Sequence, residues 1–172
     1  KDIDIDDAIK KIIISRSFNH GIPCASEQAV IVPQDDYANI ISSFIKNGAA
    51  YIEDNGEIDR LKNVLFDEEE NLSKQCVGIS AYETAQKAGI SVSKESIILL
   101  VKGNLKLQDT VLRKEKLCPV CMIYTYSNFD QAIEIARSNL EIDGKGHSVS
   151  IHSNSRKHIE QFANAVYVSR VI

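Results

Sequence analysis

Strands alternating with helices along the chain predict an α/β domain with a mainly parallel sheet flanked by helices. Two observations carry the prediction. Hydrophobic spacing switches repeatedly between the helical period and short apolar runs. Capping signals such as Ser80 with Glu83, Asn128, Gly48 and Gly89 fall where the period changes. Sheets of this kind place chemistry at strand ends and in the adjoining loops.

The elements follow in order. Residues 6–17 read as a helix, with Ala8, Ile9, Ile12 and Ile13 on one face and Asp6 and Asp7 in the first turn, where the helix dipole favours acids. Residues 29–32 read as a strand. Residues 35–47 form a helix through Tyr37, Ile40, Ile41, Phe44 and Ile45, stopped by Gly48. A short strand is expected over 50–52, then a helix over 57–66 carrying Ile58, Leu61, Val64 and Leu65, then an acidic turn over 67–71. Ser80 opens a helix to residue 88 with a capping box completed by Glu83, and Gly89 stops it. Strands are expected over 97–101 and 120–126. Asn128 caps a helix to residue 140 that turns Ala132, Ile133, Ile135 and Ala136 inward. A strand over 149–152, a helix over 155–163 and a strand over 166–172 close the series. The stretch 103–116 is charged and aperiodic, long enough for an active-site loop or a solvated connector.

Composition narrows the function. A chain of 172 residues with 44% hydrophobic and 26% charged residues is ordinary for one globular domain. The formal net charge is -4 with no basic stripe, which argues against nucleic acid as a partner. No apolar run approaches the ~20 residues of a membrane span. Four cysteines without a signal-like start fit a reducing compartment, by default the cytoplasm. The chain starts at Lys1, and its last run, 166–172, alternates like a strand with no polar tail. Both ends lead us to expect a piece of a larger polypeptide.

Three segments carry chemistry. In Asn19-His20-Gly21-Ile22-Pro23-Cys24-Ala25-Ser26-Glu27-Gln28 a thiol sits between a Gly/Pro cluster and the apolar run that starts at Ala29. A thiol at the mouth of a strand is both held and reachable, as a nucleophile must be. Buried structural cysteines are the commoner case, but Pro23 and Ser26-Glu27-Gln28 are not apolar packing residues. Cys118-Pro119-Val120-Cys121 is a lone C-x-x-C. It could be a redox dithiol or half a metal site, yet it precedes a strand instead of opening a helix, and no further ligands stand at zinc spacing. Gly144-Lys145-Gly146-His147 is a glycine-rich turn before a strand, so it is a helix stop, with His147 placed to face a cleft. His20, His152 and His158 have less in their favour, and no Gly-x-Ser-x-Gly or Gly-x-Gly-x-x-Gly occurs.

Taken in order, the cysteine segment, Lys114-Glu115-Lys116-Leu117-Cys118-Pro119-Val120 and Gly144-Lys145-Gly146-His147-Ser148 resemble three motifs of the CoA-acylating aldehyde dehydrogenases. The likeness runs over nearly the whole chain and is strongest to members acting on succinate semialdehyde and acetaldehyde. It implies an aldehyde-dehydrogenase-type catalytic domain. Residues 1–172 would be the single cysteine-bearing domain of a larger enzyme, without most of the nucleotide-binding domain and without the asparagine expected in the oxyanion hole.

By this resemblance Cys24 would attack a small aldehyde, hydride would pass to NAD or NADP, and coenzyme A as co-substrate would take the acyl group. Glu115 matches the glutamate that contacts the nicotinamide ribose. His147 matches a histidine near the reacting centre, with an acid/base or CoA-positioning role. No metal is implied, and a homo-oligomer is expected for the full-length form. Pro23 stands where the family has an aliphatic residue, Cys118 where Ser is common and Ser148 where Thr is common. The motif order places Cys24, Glu115 and His147 on one edge of the sheet. Two rival readings stay open: a non-catalytic α/β fragment or homologue, and a thiol oxidoreductase using Cys118 and Cys121.

Overall fold

The computed structural model describes residues 2–104 and 110–172. Lys1 and residues 105–109, the middle of the charged stretch 103–116, lie outside the described residues. The main sheet is built from β1 (Ala29–Pro33), β2 (Ala49–Ile52), β3 (Ile98–Lys102) and β4 (Val120–Tyr126). All pairings are parallel, and the spatial order is β1-β4-β3-β2. Ile98, Leu99, Leu100 and Val101 of β3 are all fully buried. This is the continuous apolar run expected of a parallel strand covered on both faces.

Successive side chains divide between the two faces, as strand geometry requires. Ile98, Leu100, Cys121 and Ile123 pack with Ile9, Ile12 and Phe44 from α1 (Ile5–Ser17) and α2 (Tyr37–Lys46). Leu99, Val101, Val120 and Met122 pack on the other face. There they meet Leu61, Ala85 and Ile135 from α3 (Asn55–Leu65), α4 (Ala81–Lys87) and α5 (Phe129–Ile142). The expected caps are in place. Ser80 and Glu83 form the capping box, and the Asn128 side chain accepts from the Gln131 N–H. Gly48 and Gly89 follow their helices with φ of +99° and +64°.

α1 crosses the end of the sheet where the strands begin. Near its start, Asp6 accepts from Ser43 Oγ (2.8 Å) and Asn47 Nδ2 (2.9 Å) at the end of α2. Near its finish, Arg16 reaches the first residue of β4.

Several boundaries differ from the sequence reading. β3 starts at Ile98, where its pairing with Ala49 of β2 begins; Ile97 just before it has an exposed side chain, and its N–H donates to the Gly48 carbonyl (2.8 Å). The strands expected over 149–152 and 166–172 shrink to β5 (Ser148–Val149) and β6 (Arg170–Val171). They pair in parallel with each other and not with the main sheet. α6 (Arg156–Ala165) joins them. Val166 and Phe162 pack on Ile133 and Ala136 of α5, so the start of the apolar run serves a side cluster and not a ladder.

Candidate active site

Because Cys24 precedes β1, it lies at the edge where the parallel strands start. Open α/β sheets more often bind ligands at the carboxyl ends, and a cavity of about 270 Å³ there is lined by Gln34, Tyr37, Lys102, Gly103, Ile123 and Thr125. Cys24 and the Glu115 segment lie at the other edge, ahead of β1 and β4.

α1 gives way to a tight reversal at 19–21, where Asn19 (φ +47°), His20 (φ +52°) and Gly21 (φ +74°) all take left-handed backbone. Gly21 has a second reason to be glycine. A Cβ there would lie 2.6 Å from the carbonyl carbon of Cys118. The chain then forms a four-residue turn, closed by the Ser26 N–H donating to the Pro23 carbonyl (3.0 Å). Cys24 occupies the second position of that turn and is exposed, whereas Cys76, Cys118 and Cys121 are buried.

Two buried basic side chains brace this edge. Arg16, fully buried, donates from Nη1 to Ser26 Oγ (2.7 Å), from Nε to the Val120 carbonyl (3.2 Å) and from Nη2 to the Cys118 carbonyl. Burial lowers its pKa, although a guanidinium keeps its charge. Lys116 is also fully buried, and its Nζ donates to the carbonyls of Leu112 (2.8 Å) and Lys114 (2.9 Å). Burial first, and the Arg16 charge second, bring its pKa down to about 7. The neutral amine keeps two N–H donors, which match the two carbonyls. Next in the chain, Leu117 sits at φ +41°, unusual for a bulky residue. Its carbonyl accepts from the Gly78 N–H (2.9 Å).

The three motif segments are tied together through their backbone. Lys116 N–H donates to Gln28 Oε1 (3.2 Å), which joins the cysteine segment to the Glu115 segment. Glu115 N–H donates to Asp143 Oδ2 (2.8 Å), at the end of α5, and that helix end launches the turn leading to His147. His147 N–H donates to the Gly144 carbonyl (2.9 Å), and the His147 carbonyl accepts from Ser169 N–H (2.9 Å) and Oγ (2.7 Å). His147 therefore stands just before β5, in the small sheet, and is linked to the main-sheet edge through Asp143. An open groove of about 470 Å³ runs beside it along Gly146 and Tyr167.

The dithiol alternative loses its footing. Cys118 packs in the core on one face of the sheet and Cys121 in the core on the other. Burial pushes both thiols up to about 11, away from the low values of reactive dithiols. Among the described residues no group of three or more His, Cys, Asp or Glu is placed to hold a metal ion. His158 stacks on Phe129 at 4.3 Å between ring centroids, a packing role. No described helix is long and apolar enough to cross a membrane.

Arg16 and Asp143 fall outside the three motifs, and Ser26 and Lys116 stand inside them without an assigned role. Arg16 left a trace, since it continues the inward spacing of Ile9, Ile12 and Ile13.

The aldehyde dehydrogenase family pattern matches residues 1–172, the whole chain. The chain belongs to the aldehyde dehydrogenase family. This aldehyde dehydrogenase chain is 34% identical over 172 residues to the succinate-semialdehyde dehydrogenase (acetylating) of Clostridium kluyveri, covering 100% of itself and 38% of that protein. It is 34% identical over 166 residues to an aldehyde-alcohol dehydrogenase of Clostridium acetobutylicum, covering 95% of itself and 19% of that protein. The crystal structure of an acetylating aldehyde dehydrogenase from Geobacillus thermoglucosidasius superposes with a TM-score of 0.93 at 26% identity, over 99% of this chain and 37% of that one. The chain thus spans less than two fifths of the length of these relatives.

Proposed function

We propose that residues 1–172 are the cysteine-bearing domain of a CoA-acylating aldehyde dehydrogenase, with Cys24 as its nucleophile. The observation that carries this reading is the thiol itself. Of four cysteines only Cys24 is exposed, and it sits in a hydrogen-bonded turn at the edge where the Glu115 and His147 segments are tied. The acetylating relatives support the CoA-dependent form of the reaction and a short aldehyde such as succinate semialdehyde or acetaldehyde.

In this reading the Cys24 sulfur, its proton released to solvent, adds to the aldehyde carbonyl and gives the thiohemiacetal oxyanion. NAD(P)+ when bound accepts the hydride from that carbon. What remains on Cys24 is a thioester. The thiol of CoA then attacks the thioester carbonyl, the C–S bond to Cys24 breaks, and acyl-CoA leaves with Cys24 restored. His147 takes the proton of the CoA thiol, a transfer suited to an imidazole near neutral pH. The half-exposed Glu115, its backbone held by Asp143, fits the ribose of the nicotinamide nucleotide because a carboxylate accepts from paired hydroxyls. The cofactor contacts made by the rest of the enzyme belong to segments outside this chain, so residues 1–172 alone are expected to bind it weakly.

The test uses the full-length protein with succinate semialdehyde or acetaldehyde, CoA and NAD(P)+. NAD(P)H formation that depends on CoA and vanishes in Cys24→Ala is the expected result. Undiminished turnover in that variant would overturn the nucleophile assignment.

A further inference from the structure

The turn that carries Cys24 is closed twice onto one atom. The Pro23 carbonyl accepts from the Ser26 N–H (3.0 Å) and again from Ser26 Oγ (2.8 Å). That hydroxyl has one proton, and it is directed at Pro23 because the other side of the oxygen accepts from Arg16 Nη1 (2.7 Å). Arg16 is fixed in turn by the carbonyls of Cys118 and Val120, at the start of β4. Both side chains are buried, Arg16 fully and Ser26 to within 5%. A charged donor strengthens each hydrogen bond in such a chain. The exposed nucleophile loop is therefore anchored from below to the buried residues that open β4.

We infer that Arg16, acting through the Ser26 hydroxyl, is the positioning residue that fixes the Cys24 turn for attack. The inference rests on the reading of Cys24 as nucleophile and adds what holds it in place. Neither Arg16 nor Ser26 touches the reacting atoms. Their contribution is orientation, and small misplacements of a reacting atom cost large rate factors. The turn runs on from left-handed backbone at Asn19 and His20, and the Cys118 carbonyl that Arg16 holds follows left-handed backbone at Leu117.

Replacing Arg16 risks unfolding the domain, so the discriminating variants are at Ser26 in the full-length enzyme. Ser26→Ala removes the relay and leaves Arg16 its two backbone acceptors, while Ser26→Thr keeps a hydroxyl. Three quantities are read: the rate of the pre-steady-state NAD(P)H burst, KM for the aldehyde, and the rate of Cys24 modification by iodoacetamide mapped by mass spectrometry. The expected result in Ser26→Ala is a cooperative melt, a burst slowed about tenfold or more, an aldehyde KM within twofold of the parent, and slower Cys24 modification. Ser26→Thr should recover most of the burst and of the modification rate. An unchanged burst and unchanged modification in a folded Ser26→Ala enzyme would overturn the inference while leaving the nucleophile reading intact. Turnover surviving Cys24→Ala would instead remove the reading beneath it.

Discussion

The backbone N–H of Glu115 donates to the carboxylate of Asp143 at 2.8 Å, so the loop that leads into β4 and the end of α5 are held together. The Glu-Lys-Leu-Cys-Pro segment and the Gly-Lys-Gly-His turn lie far apart in sequence and meet at this bond. A carboxylate accepting from a backbone N–H is among the stronger hydrogen bonds, although this one is at the surface.

Asp143→Ala is therefore expected to loosen Glu115 and leave the core intact. In the full-length enzyme KM for NAD(P)+ should rise about three- to tenfold, the size of one lost hydrogen bond, with kcat little changed. Steady-state kinetics with the nucleotide varied checks this, and a kcat loss at constant KM would contradict it.

His147→Ala should separate the two halves of the reaction. The burst of NAD(P)H that accompanies acyl-enzyme formation is expected at normal amplitude. The following CoA-dependent rate should fall by about a hundredfold, the usual contribution of general-base help. A steady rate equal to the parent's would return His147 to a purely structural part.

Lys116 and the buried thiols set opposing pH dependences for stability. Folding lowers the Lys116 pKa from 10.5 to about 7. Between those values the unfolded chain binds the extra proton, so stability rises with pH from about 7 upward by at most about 1.4 kcal/mol per unit. Cys118 and Cys121 move the other way, from 9.0 to about 11, so above pH 9 the native state holds protons that the unfolded chain releases. Stability is expected to peak near pH 9. Lys116→Met should flatten the rise between pH 7 and 9 in urea unfolding. A slope as steep as the parent's in that variant would exclude Lys116 as its source.

Gly21→Ala tests the close approach of the cysteine loop to β4. The new methyl would meet the Cys118 carbonyl at 2.6–2.7 Å on a backbone with φ +74°. A loss of at least about 2 kcal/mol is expected from strain and overlap together. Chemical denaturation measures it, and a loss under about 0.5 kcal/mol would mean the loops separate easily.

The parallel class, the helix caps and the cysteine turn were legible because their signals are local. Ser80 and Glu83 stand three residues apart, and the apolar run of β3 announces a strand covered on both faces. Arg16 was not legible as a brace, because its carbonyl partners lie 104 and 102 residues along the chain. A charged residue on an inward helix face is explained only once those carbonyls are brought to it. The terminal apolar run misled for a related reason. Alternation predicts a seven-residue strand, but only Arg170 and Val171 form strand, and they pair with Ser148 and Val149. Glu115 and His147 were placed by motif likeness, and their physical link, Asp143, is an ordinary acidic residue in sequence.

The order of the strands also has a consequence for how the molecule is made. Among the described residues β1 pairs only with β4, Ala29 facing Met122, so β1 lacks this neighbour until the β4 segment has been translated. At about 5–20 residues per second, synthesis leaves that strand waiting for several seconds. Throughout that interval Arg16 also lacks the carbonyls of Cys118 and Val120, so the Cys24 turn is without its Arg16 anchor. Cys24 is thus born beside an open strand edge, the kind of surface that recruits wrong partners.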